Sequence, residues 1–235
     1  MKLLFPHNPS EGLDAVLLNT AGGITGGDRF GIDVTVAAGT ALTMTTQAAE
    51  RAYRAQGAEV GQLVTRIQVK ENARFNWLPQ ETILFEGSAL ARQLDIILET
   101  GARALVAEPL VIGRHAMGES LRRSSFHDRI TISFGPEPLF IDVTELTGDI
   151  TGHLSKPSIA NGATAMALIV FVAPEAEGHL EPVRALLPET AGASLIGDKL
   201  LVARILAADS FELRKSLIPV LARLNGAALP RCWMT

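Results

Sequence analysis

At 235 residues, with 47% hydrophobic and 20% charged side chains, the chain has the composition of a globular protein with a sizeable core, which excludes a disordered or fibrous class. A net charge of −4 gives no basic field for nucleic acid or an anionic membrane surface, and the longest apolar run, residues 165–173, is too short to span a bilayer and reads as a buried strand. The single Cys232 excludes an internal disulfide framework and fits a reducing, cytoplasmic setting in which that thiol is packing.

Residues 1–5 open in strand-like sequence with no preceding turn, and residues 13–20 read as the next strand. From there to about residue 110, runs with β-branched or aromatic residues are joined by tight turns at Gly or Asn. Val36-Ala-Ala-Gly39 leads into 40–44, Val69-Lys-Glu-Asn72 into 73–77, and Leu98-Glu-Thr-Gly101 into 102–106. Gly and Asn tolerate positive φ, so each unit reads as strand, tight turn, strand, with a repeat of about thirty residues. Such units stack, and three unequal copies fit a solenoid or a meander equally.

Residues 48–55 have helix-favouring content but lie between strand units, where sheet context overrides a weak preference, and are read as strand or turn. Further strands are expected at 82–85, 130–134, 138–143, 163–173 and 200–206. A short helix is expected at 181–187, with Pro182 in its first turn. Asp209 with Glu212 forms a capping box, and Leu213, Leu217, Leu221 and Leu224 then define an amphipathic helix that ends at Gly226 and is kinked at Pro219. The fold class is therefore mainly β, with stacked hairpin or solenoid-like sheets and a C-terminal amphipathic helix. No linker or shift of composition divides it, so residues 1–235 read as a single domain.

The most conspicuous segment is TAGGITGGDRF at 20–30. A Walker loop needs Gly-Lys-Ser/Thr where Asp28 stands, and a dinucleotide fingerprint needs a helix where strand-like residues follow. It reads as a structural or interface loop, with Asp28 bonding the turn it ends. In WLPQETILFEG, residues 77–87, Gln80 and Glu81 follow Pro79, and the expectation is a turn with solvent-facing polar side chains; the alternative is a contact or ion-handling surface. His7, His115, His127, His153 and His179 lack local chelating partners, so no closed metal site is expected, although passage of a divalent ion needs only scattered donors. Ser124, Ser125, His127 and Asp128 lack a G-x-S-x-G elbow and read as a polar loop rather than a hydrolase triad. The carboxylate pairs Glu81 with Glu86 and Glu108 with Glu119 have no separation that a sequence reveals. With no catalytic constellation, the chain reads as an assembly partner rather than an enzyme.

In order, TAGGITGGDRF, TTQAAERAYRA (45–55), WLPQETILFEG, VIGRHAMGE (111–119), GASLIGDKLLVARIL (192–206) and LPRCW (229–233) resemble the urease accessory protein UreD family, called UreH in some organisms. The resemblance implies a non-catalytic β-rich scaffold that binds the helical accessory protein UreF, and through it the GTPase UreG, on urease apoprotein. It implies no permanent cofactor, with nickel in transit. The matching motifs carry over Asp28, Tyr53, Arg54, Gln80 and Arg114 as interface or loop residues, and Glu81 and Glu119 as oxygen donors for a passing nickel ion. The family pattern also includes strands before the position where this sequence begins, so residues 2–5 are expected at a sticky sheet edge, with poor solubility in isolation. A carbohydrate- or ligand-binding β solenoid is the alternative from a different class.

Overall fold

The turn residues set the architecture. Gly39, Asn72 and Gly101 have φ of 68°, 55° and 72°, the left-handed region that Gly and Asn enter at least cost. Each closes a tight corner: Thr40 N–H donates to Ala37 O, Ala73 N–H to Lys70 O and Ala102 N–H to Glu99 O. The corners are also bonded to one another, Gly39 N–H to Glu71 O at 2.9 Å and Asn72 N–H to Thr100 O at 3.0 Å, and Gly135 N–H extends the series to Leu98 O at 3.1 Å.

The computed structural model describes residues 1–7, 12–114 and 117–234; His115 and Ala116 of the VIGRHAMGE motif lie outside the described residues. The strands run β1 (Lys2–Leu4), β2 (Leu13–Leu18), β3 (Arg29–Val36), β4 (Ala41–Thr46), β5 (Glu50–Ala52), β6 (Gly61–Val69), β7 (Arg74–Leu78), β8 (Thr82–Leu84), β9 (Ala89–Leu98) and β10 (Arg103–Ile112). They continue as β11 (Ser124–Phe134), β12 (Glu137–Gly148), β13 (Ala165–Val172), β14 (Ala191–Ile196) and β15 (Leu200–Ala207). The helices are α1 (Ile150–Leu154), α2 (Ala176–Arg184) and α3 (Ser210–Asn225).

The strands on either side of each corner do not pair with each other. β3, β6, β9 and β11 stack in parallel in one sheet, and β2, β4, β7 and β10 stack in parallel in the other, so the chain winds between two sheets in successive coils. This is the solenoid reading, and it excludes the meander, in which neighbours in sequence would be neighbours in the sheet. β5 and β8 stack beside the far end of β10, whose first half pairs with β7 and whose second half pairs with β8. After β11 the pairing turns antiparallel: β12 folds back on β11, and β13, β15 and β14 extend the β10 sheet.

β10 shows why three layers result. Its alternate residues Ala104 and Val106 face a core between the sheets that includes Met44, Phe75, Ile96 and Ile130. Leu105 and Ala107 face a second core made with α3 through Leu213, Leu217 and Leu221, and with Trp233. Both faces are covered, so the strand is apolar along nearly its whole length. Asp209 caps α3 by accepting from Glu212 N–H at 2.9 Å, and Gly226 ends it at φ 65°. The helix continues through Pro219, which gives up only its bond to Lys215. Each fully buried leucine of its inner face contributes roughly 1.5–3 kcal/mol of burial. Among the described residues, no helix is long and apolar enough to cross a membrane.

Several elements depart from expectation. α2 begins at Ala176, so Pro182 lies inside the helix rather than in its first turn. Residues 124–128 form the start of β11, not a polar loop, because alternate residues there fill the core. α1 and β14 have no strong sequence signal: α1 is short, and β14 exposes three of its six residues.

Candidate functional site

Strand alternation brings three charged side chains inward between the sheets. On β9 the inward positions are Leu90, Arg92, Leu94, Ile96 and Leu98, and on β11 they are Ser124, Phe126, Asp128, Ile130 and Ile132. Arg92 and Asp128 are direct neighbours across the parallel β9–β11 pair. From the opposite sheet β10 supplies Glu108, β7 supplies Trp77 and β8 supplies Thr82.

Arg92 grips Asp128 with two nitrogens, Nη2 to Oδ2 at 2.5 Å and Nε to Oδ1 at 3.2 Å. Its Nη1 donates to Thr82 Oγ1 at 2.9 Å and lies 2.9 Å from Glu108 Oε2, while the guanidinium carbon sits 5.1 Å from the centre of the Phe126 ring. Trp77 Nε1–H donates to Glu108 Oε1 at 2.7 Å. All three charged groups are about nine-tenths buried. Burial works against the Arg92 charge, but Asp128 and Glu108 beside it more than offset that and hold its pKa above the ordinary value. Burial pushes the Glu108 carboxyl up, opposed by Arg92 and by the Trp77 bond. Glu108 Oε2 meets Arg92 as an ion pair without a directed hydrogen bond, and among the described residues Gln80 Nε2 nearby has no hydrogen-bond partner.

Beside this cluster lies a cavity of about 230 Å³, lined by Leu17, Thr46, Thr65, Trp77, Gln80 and the charged triplet among others. Its lining also includes exposed Met1, Gln47, Ala48 and Arg51, which mark its mouth. Half-buried Glu50 lies there too, its carboxyl pushed up by burial against the bond from Asn19. Among the described residues, no three His, Cys, Asp or Glu side chains converge as a ready-made metal centre. The site sets three buried, mutually paired charges beside a small cavity that opens to the surface.

The residues singled out in the sequence fall into two other groups. Asp28, Tyr53, Arg54, Arg114 and Glu119 gather at the loop end of the coils. Asp28 Oδ2 accepts from Thr25 N–H at 2.9 Å, closing its own turn, and Thr25 Oγ1–H donates to Arg54 O. Tyr53 stands edge-on to Phe85 at 5.1 Å, and Arg114 lies over the same ring at 4.4 Å. Arg114 binds Glu119 through Nε and Nη2, and Glu119 also accepts from Arg114 N–H and Glu86 N–H. The hydrogen bonds from Arg114 hold the Glu119 carboxyl down at about 2. The glycines of this loop are demanded by packing as much as by φ: a Cβ on Gly23 would sit 2.6 Å from Arg51 O, and one on Gly26 2.5 Å from Glu59 O.

Gln80 and Glu81 form the second group, and they do not face solvent; they are 6% and 8% exposed. Pro79 joins two strands that both lie against β10, so the chain runs on through the sheet instead of turning to the surface. Arg214 of α3 reaches in to satisfy both, at 2.8 Å to Gln80 Oε1 and 3.1 Å to Glu81 Oε1, and also donates to Trp233 O. Trp233 in turn donates Nε1–H to Leu78 O at 3.0 Å. No contact joins Glu81 to Glu119; each is held by its own arginine. Of the carboxylates paired in the sequence, Glu86 accepts from the Arg122 amide and Glu108 pairs with Arg92. Alternation also dismantles the hydrolase cluster, because His127 points out of the sheet while Ser124 and Asp128 point in.

A parallel two-sheet solenoid backed by helices, with a charge-compensated interior cavity, is the class that fold and site define. A profile described as UreD urease accessory protein matches residues 1–234. The chain is 58% identical to the urease accessory protein UreD of Ruegeria pomeroyi, over 99% of this chain and 90% of that protein. It is 47% identical to that of Roseobacter denitrificans and 43% identical to that of Brucella suis, again over 99% of this chain and over 85% and 84% of those proteins. The chain belongs to the UreD family of urease accessory proteins.

Proposed function

We propose that this chain is a non-catalytic, cytoplasmic scaffold of urease maturation that docks UreF and the GTPase UreG on urease apoprotein, and that nickel on its way to the urease metallocentre crosses the space between its sheets. The observation that carries the passage is the interior cavity with Glu108 and Asp128 on its wall: oxygen donors, few enough and sufficiently engaged elsewhere to release an ion as readily as they take it. Nickel is cargo here, not a resident cofactor.

Asp28, Tyr53, Arg54, Arg114 and Glu119 build the loop end of the coils, and their mutual contacts suit a rigid docking surface. Glu81 and Glu119, the other candidate donors, are each committed to an arginine, which favours a structural part for both. The test is co-expression with UreF, UreG and urease apoprotein. Glu108→Gln with Asp128→Asn and Arg92→Gln, which removes both carboxylates without stranding the guanidinium, is expected to lower the nickel content of matured urease while the complex still co-purifies. Normal nickel loading in that variant removes the passage, and failure of the unsubstituted chain to co-purify with UreF and apoprotein in any combination removes the docking role. Glu81→Gln and Glu119→Gln are expected to weaken the fold or the assembly before they touch nickel loading.

A further inference from the structure

A second, smaller cavity of about 50 Å³ lies on the other side of the charged triplet, lined by Leu110, Thr144, Met166, Asp142 and Arg204 among others. Arg204 and Asp142 form an ion pair there. The two cavities have three lining residues in common, and these are Arg92, Glu108 and Asp128. The triplet is therefore the wall between them, and the guanidinium is the part of it that joins one sheet to the other.

Two buried carboxylates cannot stand unpaired at this depth, because leaving an ionised group without a partner costs several kcal/mol. Arg92 solves this with its fork, two nitrogens on Asp128 and one turned to Glu108. The same solution closes the route: a cation approaching from the larger cavity meets a positive charge, and among the described residues no third carboxylate completes a cage. A divalent cation carries what the carboxylates need, however, so it can replace the guanidinium without leaving either unpaired. Glu108 Oε2, paired with Arg92 but without a hydrogen bond among the described residues, is the oxygen such an exchange would use first. The larger cavity gives the displaced side chain somewhere to go.

We infer that Arg92 is a displaceable partition: in the resting chain it occupies Glu108 and Asp128 and separates the two cavities, and an entering divalent cation takes those carboxylates as the guanidinium moves aside. This rests on the passage proposed above and assigns its control to one residue, which acts by competition and not as a ligand. No covalent bond is made or broken; on the two carboxylates a single positive charge gives way to a double one, and the displaced guanidinium moves toward the larger cavity and its solvent-facing mouth.

The test is direct binding of nickel(II) to the purified chain, alone or with UreF bound, by equilibrium dialysis. Arg92→Gln is expected to bind one more nickel ion than the unsubstituted chain, or to bind it about tenfold tighter, since the competitor is gone. The gain is expected to vanish in Arg92→Gln with Glu108→Gln and Asp128→Asn. An Arg92→Gln variant that is folded by circular dichroism and binds no more nickel than the parent overturns the inference. If Arg92→Gln does not fold, arginine labelling of the unsubstituted chain decides it: saturating nickel is expected to raise the labelling rate of Arg92 severalfold, and an unchanged rate rejects displacement. The outcomes separate the two proposals, because nickel loading of urease that falls on loss of Glu108 and Asp128, beside an Arg92→Gln variant that gains no nickel, leaves the passage standing and removes only the partition.

Discussion

Arg114 and Glu119 show how a surface ion pair can matter when it also organises backbone. Glu119 accepts from two amides as well as from the guanidinium, so its loss frees a loop and not merely a charge. Its folded pKa, about 2, lies below the ordinary carboxylate value of about 4.3. A depressed carboxylate stabilises the fold at any pH above its unfolded pKa and loses that contribution as pH falls toward the folded value. The stability gap between the unsubstituted chain and Glu119→Gln should therefore be constant above about pH 5 and should shrink below about pH 4; urea midpoints across that range check it. Arg214 is the more costly residue to remove. Arg214→Ala strands Glu81 in a nearly dry site and releases the carbonyl of Trp233, and a loss of roughly 3 kcal/mol in chemical denaturation is expected.

Among the elements, the corners carry the most information for their length. Gly39 has a positive φ and open space around its missing Cβ, so Gly39→Ala should cost only the left-handed penalty, about 1–2 kcal/mol by thermal or chemical melt. Gly26→Ala drives a methyl into the Glu59 carbonyl and should cost more, because backbone gives way less than a side chain. These corners are legible in sequence because positive φ restricts composition locally, and α3 is legible because its cap, stripe and stop all fall within one segment. Partner choice is not: a tight turn looks alike whether its strands pair together or enter different sheets. The WLPQE stretch misleads for a related reason, since Pro and polar residues mark a surface turn unless a distant arginine is waiting for them. The interior triplet left a fainter trace. Each of Arg92, Glu108 and Asp128 is a lone charge in the apolar phase of an alternating or wholly apolar strand, a mark visible in sequence but with no hint of which charge meets which.

At the scale of the whole molecule, an outer edge of each sheet carries exposed apolar side chains. β12 ends its sheet and shows Leu139, Ile141 and Val143 on its exposed face, while β1 at the end of the other sheet shows Leu3 and Leu4. Unpaired backbone next to exposed apolar side chains invites edge-to-edge association, and Ile141→Lys is expected to reduce self-association of the isolated chain in light scattering. An unchanged size distribution would place the cause of any association elsewhere. The hydrogen bonds that tie corner to corner have a different consequence, for heredity. Deleting one residue from a coil strand turns every side chain after it to the wrong face, back to the next corner, and carries Arg92 or Asp128 out of reach of its partner. Deleting a whole turn of the winding leaves each remaining corner stacked on another of its kind. Such a gene tolerates changes of length in steps of about thirty codons more readily than in steps of one, a second reading frame laid over the first.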